Sequence, residues 1–103
     1  MIMTEWPEML STGILTLELH IPGCTSLKEK RSRLKPLLAR LHREFNISAA
    51  EVERMDAWQE AVVACALVSN DVRYTQQALQ AVARWVEREW PDLELVDDQL
   101  TLV

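Results

Sequence analysis

The sequence predicts an α+β domain of order β-α-β-β-α-β, and three observations predict it. Apolar residues alternate from Ile14 to Ile21 and run through Val62 to Val68, as in strands. They recur at helical spacing from Leu27 to Phe45 and from Val72 to Trp90. Turn and cap residues separate these segments: Pro22-Gly23, Asp56-Ala-Trp-Gln59, Ser69-Asn-Asp71 and Pro91.

Residues 1 to 12 hold Trp6-Pro7 and no sustained period, so they are expected as a loosely packed extension, with one domain over 13–103. The first strand, from Ile14 to Ile21, puts Leu15, Leu17, Leu19 and Ile21 on a core face and Ile14, Thr16, Glu18 and His20 on the other. Pro22-Gly23 ends it. Ser26 and Glu29 then have the spacing of a capping box, in which each side chain serves the other residue's backbone N–H. In the helix that follows, Leu27, Leu34, Leu37, Leu38, Leu41 and Phe45 form the inner stripe. Pro36 lacks the N–H that would reach the Ser32 carbonyl, which predicts a kink or two short helices in series.

A second strand is expected over Asn46 to Arg54 and a third over Gln59 to Ser69. The third is apolar on both faces: Val62, Ala64, Ala66 and Val68 on one, Val63, Cys65 and Leu67 on the other. Asp71 can cap a second helix whose inner stripe reads Val72, Thr75, Leu79, Val82, Val86 and Trp90. In the last strand, Leu93 to Val103, the apolar parity changes across Asp97-Asp98, which predicts a bulge or turn there. Two interleaved right-handed crossovers turn this order into a ferredoxin-like fold: a four-stranded antiparallel sheet, strands one and three central, both helices on one face. The other face is left open although the third strand is apolar there. Such a patch marks an association site, so Val62, Ala64, Ala66 and Val68 are expected to form a homodimer face.

At 103 residues and 49% hydrophobic, the chain suits one core. It has no apolar run of membrane-spanning length and no signal-peptide pattern at its start, so it reads as cytoplasmic with no membrane partner. Cys24 and Cys65 form no CxxC and are expected as free thiols. The formal net charge is -5, yet Lys28 to Arg43 holds seven Lys or Arg against the single acid Glu29, leaving -11 for the remainder. Overall acidity argues against a general nucleic-acid coat protein and leaves room for one anionic partner on the basic helix.

Gly13-Ile-Leu, Ser26-Leu-Lys-Glu-Lys-Arg31, Phe45-Asn46, Glu51, Asp56-x-Trp58-Gln59 and Val68-Ser-Asn-Asp71 together resemble the DUF503 or YlxP-like family of small bacterial proteins. The resemblance covers roughly residues 13 to 103. It implies a ferredoxin-like fold, often dimeric, with no established enzymatic activity. Genes of that family often stand beside those for translation initiation and ribosome maturation factors, which by association implies a partner in RNA or the ribosome. The twelve residues before Gly13 depart from the family's usual short start.

Ser26, Lys28, Lys30, Arg31, Arg33 and Lys35 are the candidate anion or RNA-phosphate site. Cations in a first helical turn oppose the macrodipole, and an anion on the free N–H groups there would make them favourable. The structural alternative is a solvated helix start with Glu29 pairing to Arg33. Trp58 and Gln59 could offer a base-stacking platform, against the plainer role of covering a sheet edge or dimer seam. Glu18 and His20 share a strand face without a third ligand, so no metal site is expected. Acylphosphatases share this fold, but the loop Pro22-Gly-Cys-Thr-Ser26 has no Arg, and neither GxxxxGK[ST] nor GxSxG occurs. No catalytic residue and no cofactor is therefore assigned. The competing functional class is a small-molecule phosphate or nucleotide site, catalytic or not, in loop 23–31.

Overall fold

A computed structural model describes residues 9–103. Its elements are β1 (Ser11–His20), α1 (Leu27–Phe45), β2 (Ser48–Glu53), β3 (Glu60–Ser69), α2 (Val72–Glu89) and β4 (Glu94–Leu102). The sheet order is β2-β3-β1-β4 with every neighbouring pair antiparallel, the ferredoxin-like arrangement.

Register explains the core. Leu15 faces Cys65, Leu17 faces Val63 and Leu19 faces Ala61, so the apolar parity of β1 meets that of β3 on one side of the sheet. Against this side pack Leu34, Leu37 and Leu41 of α1 and Leu79, Val82, Ala83, Trp85 and Val86 of α2, in one continuous cluster. Each fully buried Leu or Val contributes roughly 1.5–3 kcal/mol. Gly13 sets the spacing between α2 and β1. A Cβ there would lie 2.6 Å from Thr75 Cγ2 and 2.7 Å from Leu79 Cδ1, so any other residue would have to displace the Thr75 and Leu79 side chains. Thr75 is wholly buried, and its hydroxyl is satisfied by Ser11 Oγ at 3.1 Å and Ser69 Oγ at 2.6 Å.

Several boundaries differ from the sequence expectation. β1 begins at Ser11, because Ser11 and Thr12 pair with Ser69 and Val68; of the rest of the expected extension, Met9 and Leu10 are exposed and residues 1–8 lie outside the described residues. β2 starts only at Ser48, since Asn46 is the C-cap of α1 in the left-handed region at φ 50°. α1 runs unbroken through Pro36, so two helices in series do not form. Ser32 and Pro36 are exposed, which leaves the freed Ser32 carbonyl to water, while Leu34, Leu37 and Leu41 anchor the helix on both sides. Val72, the first residue of α2, is 56% exposed rather than part of the buried inner stripe. In β4 the register shift falls between Leu95, opposite Leu19, and Asp97, opposite Glu18, making Val96 the extra residue just before the expected bulge.

Candidate functional site: the two sides of α1

The start of α1 is capped from both directions. Ser26 Oγ accepts from Glu29 N at 3.0 Å, and Glu29 Oε2 accepts from Thr25 N at 2.8 Å, one residue earlier than the expected reciprocal partner. The Cys24 thiol and the Thr25 amide hold the Glu29 carboxyl below its ordinary value. Glu29 thus occupies the place at this helix end where an external anion would dock, and it makes no pair with Arg33.

The seven cations between Lys28 and Arg43 separate into two sets. Three face neighbours. Lys30 is 1% exposed and occupies a core position between α1 and the β2–β3 turn. Its Nζ donates to Arg54 O and Ala57 O, both at 2.8 Å, and lies 2.7 Å from Glu51 Oε2. Glu51 Oε2 meets no donor in good hydrogen-bond geometry, so the third contact is a charge pair rather than a directed hydrogen bond. Arg33 donates through Nη1 to Pro22 O at 2.8 Å, through Nη2 to Asp92 O at 2.8 Å and through Nε to Asp92 Oδ2 at 3.0 Å. It ties the end of β1 to the turn before β4. Arg40 lies over Trp85 at 5.4 Å and Trp90 at 6.0 Å and pairs with Glu44 at 3.3 Å.

The other four, Lys28, Arg31, Lys35 and Arg43, are exposed and make no side-chain hydrogen bond or ion pair among the described residues. At 100° per residue they share one outward sector with Ser32, Ala39 and His42, and no carboxylate enters it. From Lys28 to Arg43 the stripe extends ~22 Å along the helix.

Of the expected anion-site residues, Lys28, Arg31 and Lys35 therefore stand together at the surface. Lys30 and Arg33 do not join them, because buried carbonyls and carboxylates hold both, and Ser26 uses its hydroxyl as the cap. Sequence reasoning missed Lys30 as a core residue and Arg43 as a member of the stripe. The signal for Lys30 was present: it stands four, seven and eleven residues before Leu34, Leu37 and Leu41, all buried.

The tip between β2 and β3 adjoins the start of α1. Arg54 adopts φ 59°, in the left-handed region; Ala57 N donates to its carbonyl at 3.1 Å and Lys30 reaches the same atom. The Arg54 guanidinium donates to Glu18 Oε1 at 2.7 Å, which raises its pKa. Gln59 is not free as a platform group, since its Nε2 donates to Cys24 O at 3.2 Å. Trp58 is 53% exposed.

On the open face, β3 presents Val62, Ala64, Ala66 and Val68 opposite Glu18, Thr16, Ile14 and Thr12. Val62 is only 6% exposed, already covered among Glu18, Glu53, Arg54 and Asp97, whereas Val68 is 65% and Ile14 37% exposed. The expected association face is thus apolar at the Ile14, Ala66 and Val68 end and charged at the Glu18, Arg54 and Glu60 end. The two cysteines are buried and free. Burial pushes the Cys65 thiol up to about 12; it raises Cys24 too, with help from Glu29, so both are held toward the protonated thiol. Among the described residues no helix is long and apolar enough to cross a membrane.

Residues 12–99 match the model of a family described as a protein of unknown function, DUF503. The chain is also similar to the uncharacterized protein YlxP of Bacillus subtilis (strain 168), 35% identical over 82 residues, which cover 80% of this chain and 88% of that protein. The chain belongs to the DUF503 family.

Proposed function

We propose that this DUF503 domain is a non-enzymatic, dimeric module that binds RNA or an RNA-rich ribosomal surface through the outer stripe of α1. One observation carries the reading: among the described residues Lys28, Arg31, Lys35 and Arg43 stay unpaired and acid-free on an otherwise acidic chain, while every other cation of the segment is engaged internally. Leaving four cations free on one helix side costs self-repulsion, and a polyanion removes it. The small-phosphate reading of loop 23–31 draws less support, because Glu29 takes the Thr25 amide and Lys30 points inward.

Titration with ribosomal RNA fragments at two salt concentrations tests this. Binding should weaken steeply with salt, and Lys28→Ala/Arg31→Ala should lower the salt slope by about two, one per lost phosphate contact. Salt-independent binding, or none at low salt, overturns the reading. Tighter stabilisation by a phosphorylated metabolite than by RNA in a thermal-shift screen would favour loop 23–31 instead.

The dimer brings two open faces together about a two-fold axis and leaves both α1 stripes outward. Its support is the exposed apolar end of the face at Ile14, Ala66 and Val68. Ala64 faces that side, opposite Thr16, so Ala64→Asp should give a monomer in sedimentation at tens of micromolar where the parent chain gives a dimer. A monomeric parent chain removes the dimer and leaves the RNA reading standing.

A further inference from the structure

We infer that the RNA this domain takes is single-stranded, with one base stacked on Trp58 while the backbone follows the cationic stripe of α1. The inference rests on the RNA reading of that stripe and adds the form of the strand. Among the described tryptophans, Trp58 alone is largely exposed, at 53%. Trp85 is buried beside Phe45 and Trp90, with ring centroids 5.6 Å and 5.9 Å away.

An exposed ring is useful for stacking only if its position is fixed before the ligand arrives, because ordering a loose loop subtracts from affinity. The tip is fixed. Lys30 holds Arg54 O and Ala57 O from below, Ala57 N closes the turn onto Arg54 O, Arg54 is tied to Glu18, and Gln59 is tied to Cys24 O. This places Trp58 between two anchored residues, Ala57 and Gln59.

The same lysine sets the location. Lys30 leaves α1 on its inner side within the same turn as Lys28 and Arg31, so the tip it holds lies at the N-terminal end of the helix. A strand whose phosphates follow Arg43, Lys35, Arg31 and Lys28 runs off the helix at the end where Trp58 stands. In a duplex the base faces are already stacked on one another, so the ring has nothing to take there except at a blunt end. A single strand offers a free face at every base, and the contact tolerates any sequence.

The test titrates the full chain with a fluorescein-labelled oligoadenylate, alone and annealed to its complement, at two salt concentrations. The single strand should bind more tightly than the duplex. Trp58→Ala should weaken single-strand binding about tenfold without changing the salt slope or duplex binding. Trp58→Phe should restore most of the loss, and Lys28→Ala/Arg31→Ala should instead lower the slope on both ligands. Unchanged melting of both Trp58 variants separates lost stacking from lost folding. Equal single-strand affinity for Trp58→Ala and the parent chain, an equal loss on the duplex, or a preference for the duplex overturns the single-strand inference alone. Binding of neither ligand at low salt overturns it together with the RNA reading.

Discussion

Lys30, Arg33 and Arg40 lie on the neighbour-facing sides of α1, and Lys28, Arg31, Lys35 and Arg43 on its solvent-facing side, yet all seven belong to one run of sequence. The inner three are anchored by carbonyls, carboxylates and indole rings; the outer four make no side-chain hydrogen bond or ion pair among the described residues. The difference teaches that cation count in a segment overstates a binding surface. A buried lysine is a structural peg, costly to remove and useless to a ligand, and an exposed one contributes little to folding.

Removing the inner peg should have the largest effect. Lys30→Met keeps the apolar stem but leaves Glu51 without its counter-charge and two carbonyls without a donor, which should cost about 3–5 kcal/mol in denaturant unfolding. Adding Glu51→Gln should recover part of that, because the unpaired charge is then gone. A loss below about 1 kcal/mol for Lys30→Met would show that the peg is not structural.

Arg33→Ala should come next, at about 1–2 kcal/mol, since its three hydrogen bonds tie Pro22 to Asp92 but Asp92 itself is largely exposed. Replacement by Lys should not rescue it, because a single ammonium cannot span the three acceptors.

Glu29 gives a smaller effect, one that acid removes. Its folded pKa is lowered, so its contribution is present above the ordinary carboxylate value and is lost as pH falls through the lowered one. Melting temperatures of Glu29→Gln and the parent chain, followed from pH 7 down to about pH 3, should therefore converge at the acid end. Divergence on acidification would reverse the assigned sign.

The smallest effect belongs to the outer stripe. Lys28→Ala/Arg31→Ala/Lys35→Ala should shift stability by no more than about 0.5 kcal/mol. The same variant should lose most of its RNA affinity at low salt. A large loss of stability there would erase the distinction between the two sides of the helix.

The amphipathic periods of β1 and both helices were legible before any coordinates, and with them the strand order and the core face, because burial of Leu15, Leu17, Leu19, Leu34, Leu37 and Leu41 follows local spacing. Asp71 was legible as a cap for the same reason: its Oδ1 serves Arg73 N and Tyr74 N, two and three residues on. Lys28, Arg31 and Lys35 were legible as surface cations. Lys30 and Arg33 were counted with them; the spacing of Lys30 to Leu34, Leu37 and Leu41 marked its inward side, whereas nothing within the helix marked Arg33 as engaged.

By itself, the sequence determined the order of elements, the parity of each central strand and the existence of a basic helix. These depend on the period at which side chains leave a helix or strand, a property of adjacent residues. Only the tertiary structure decided which cations are free. The acceptors that bury Lys30 stand on β2 and in the β2–β3 turn, and those that hold Arg33 lie after β1 and after α2. Whether a charge is solvated or paired depends on groups that are distant in the chain and become neighbours only when the sheet and helices pack.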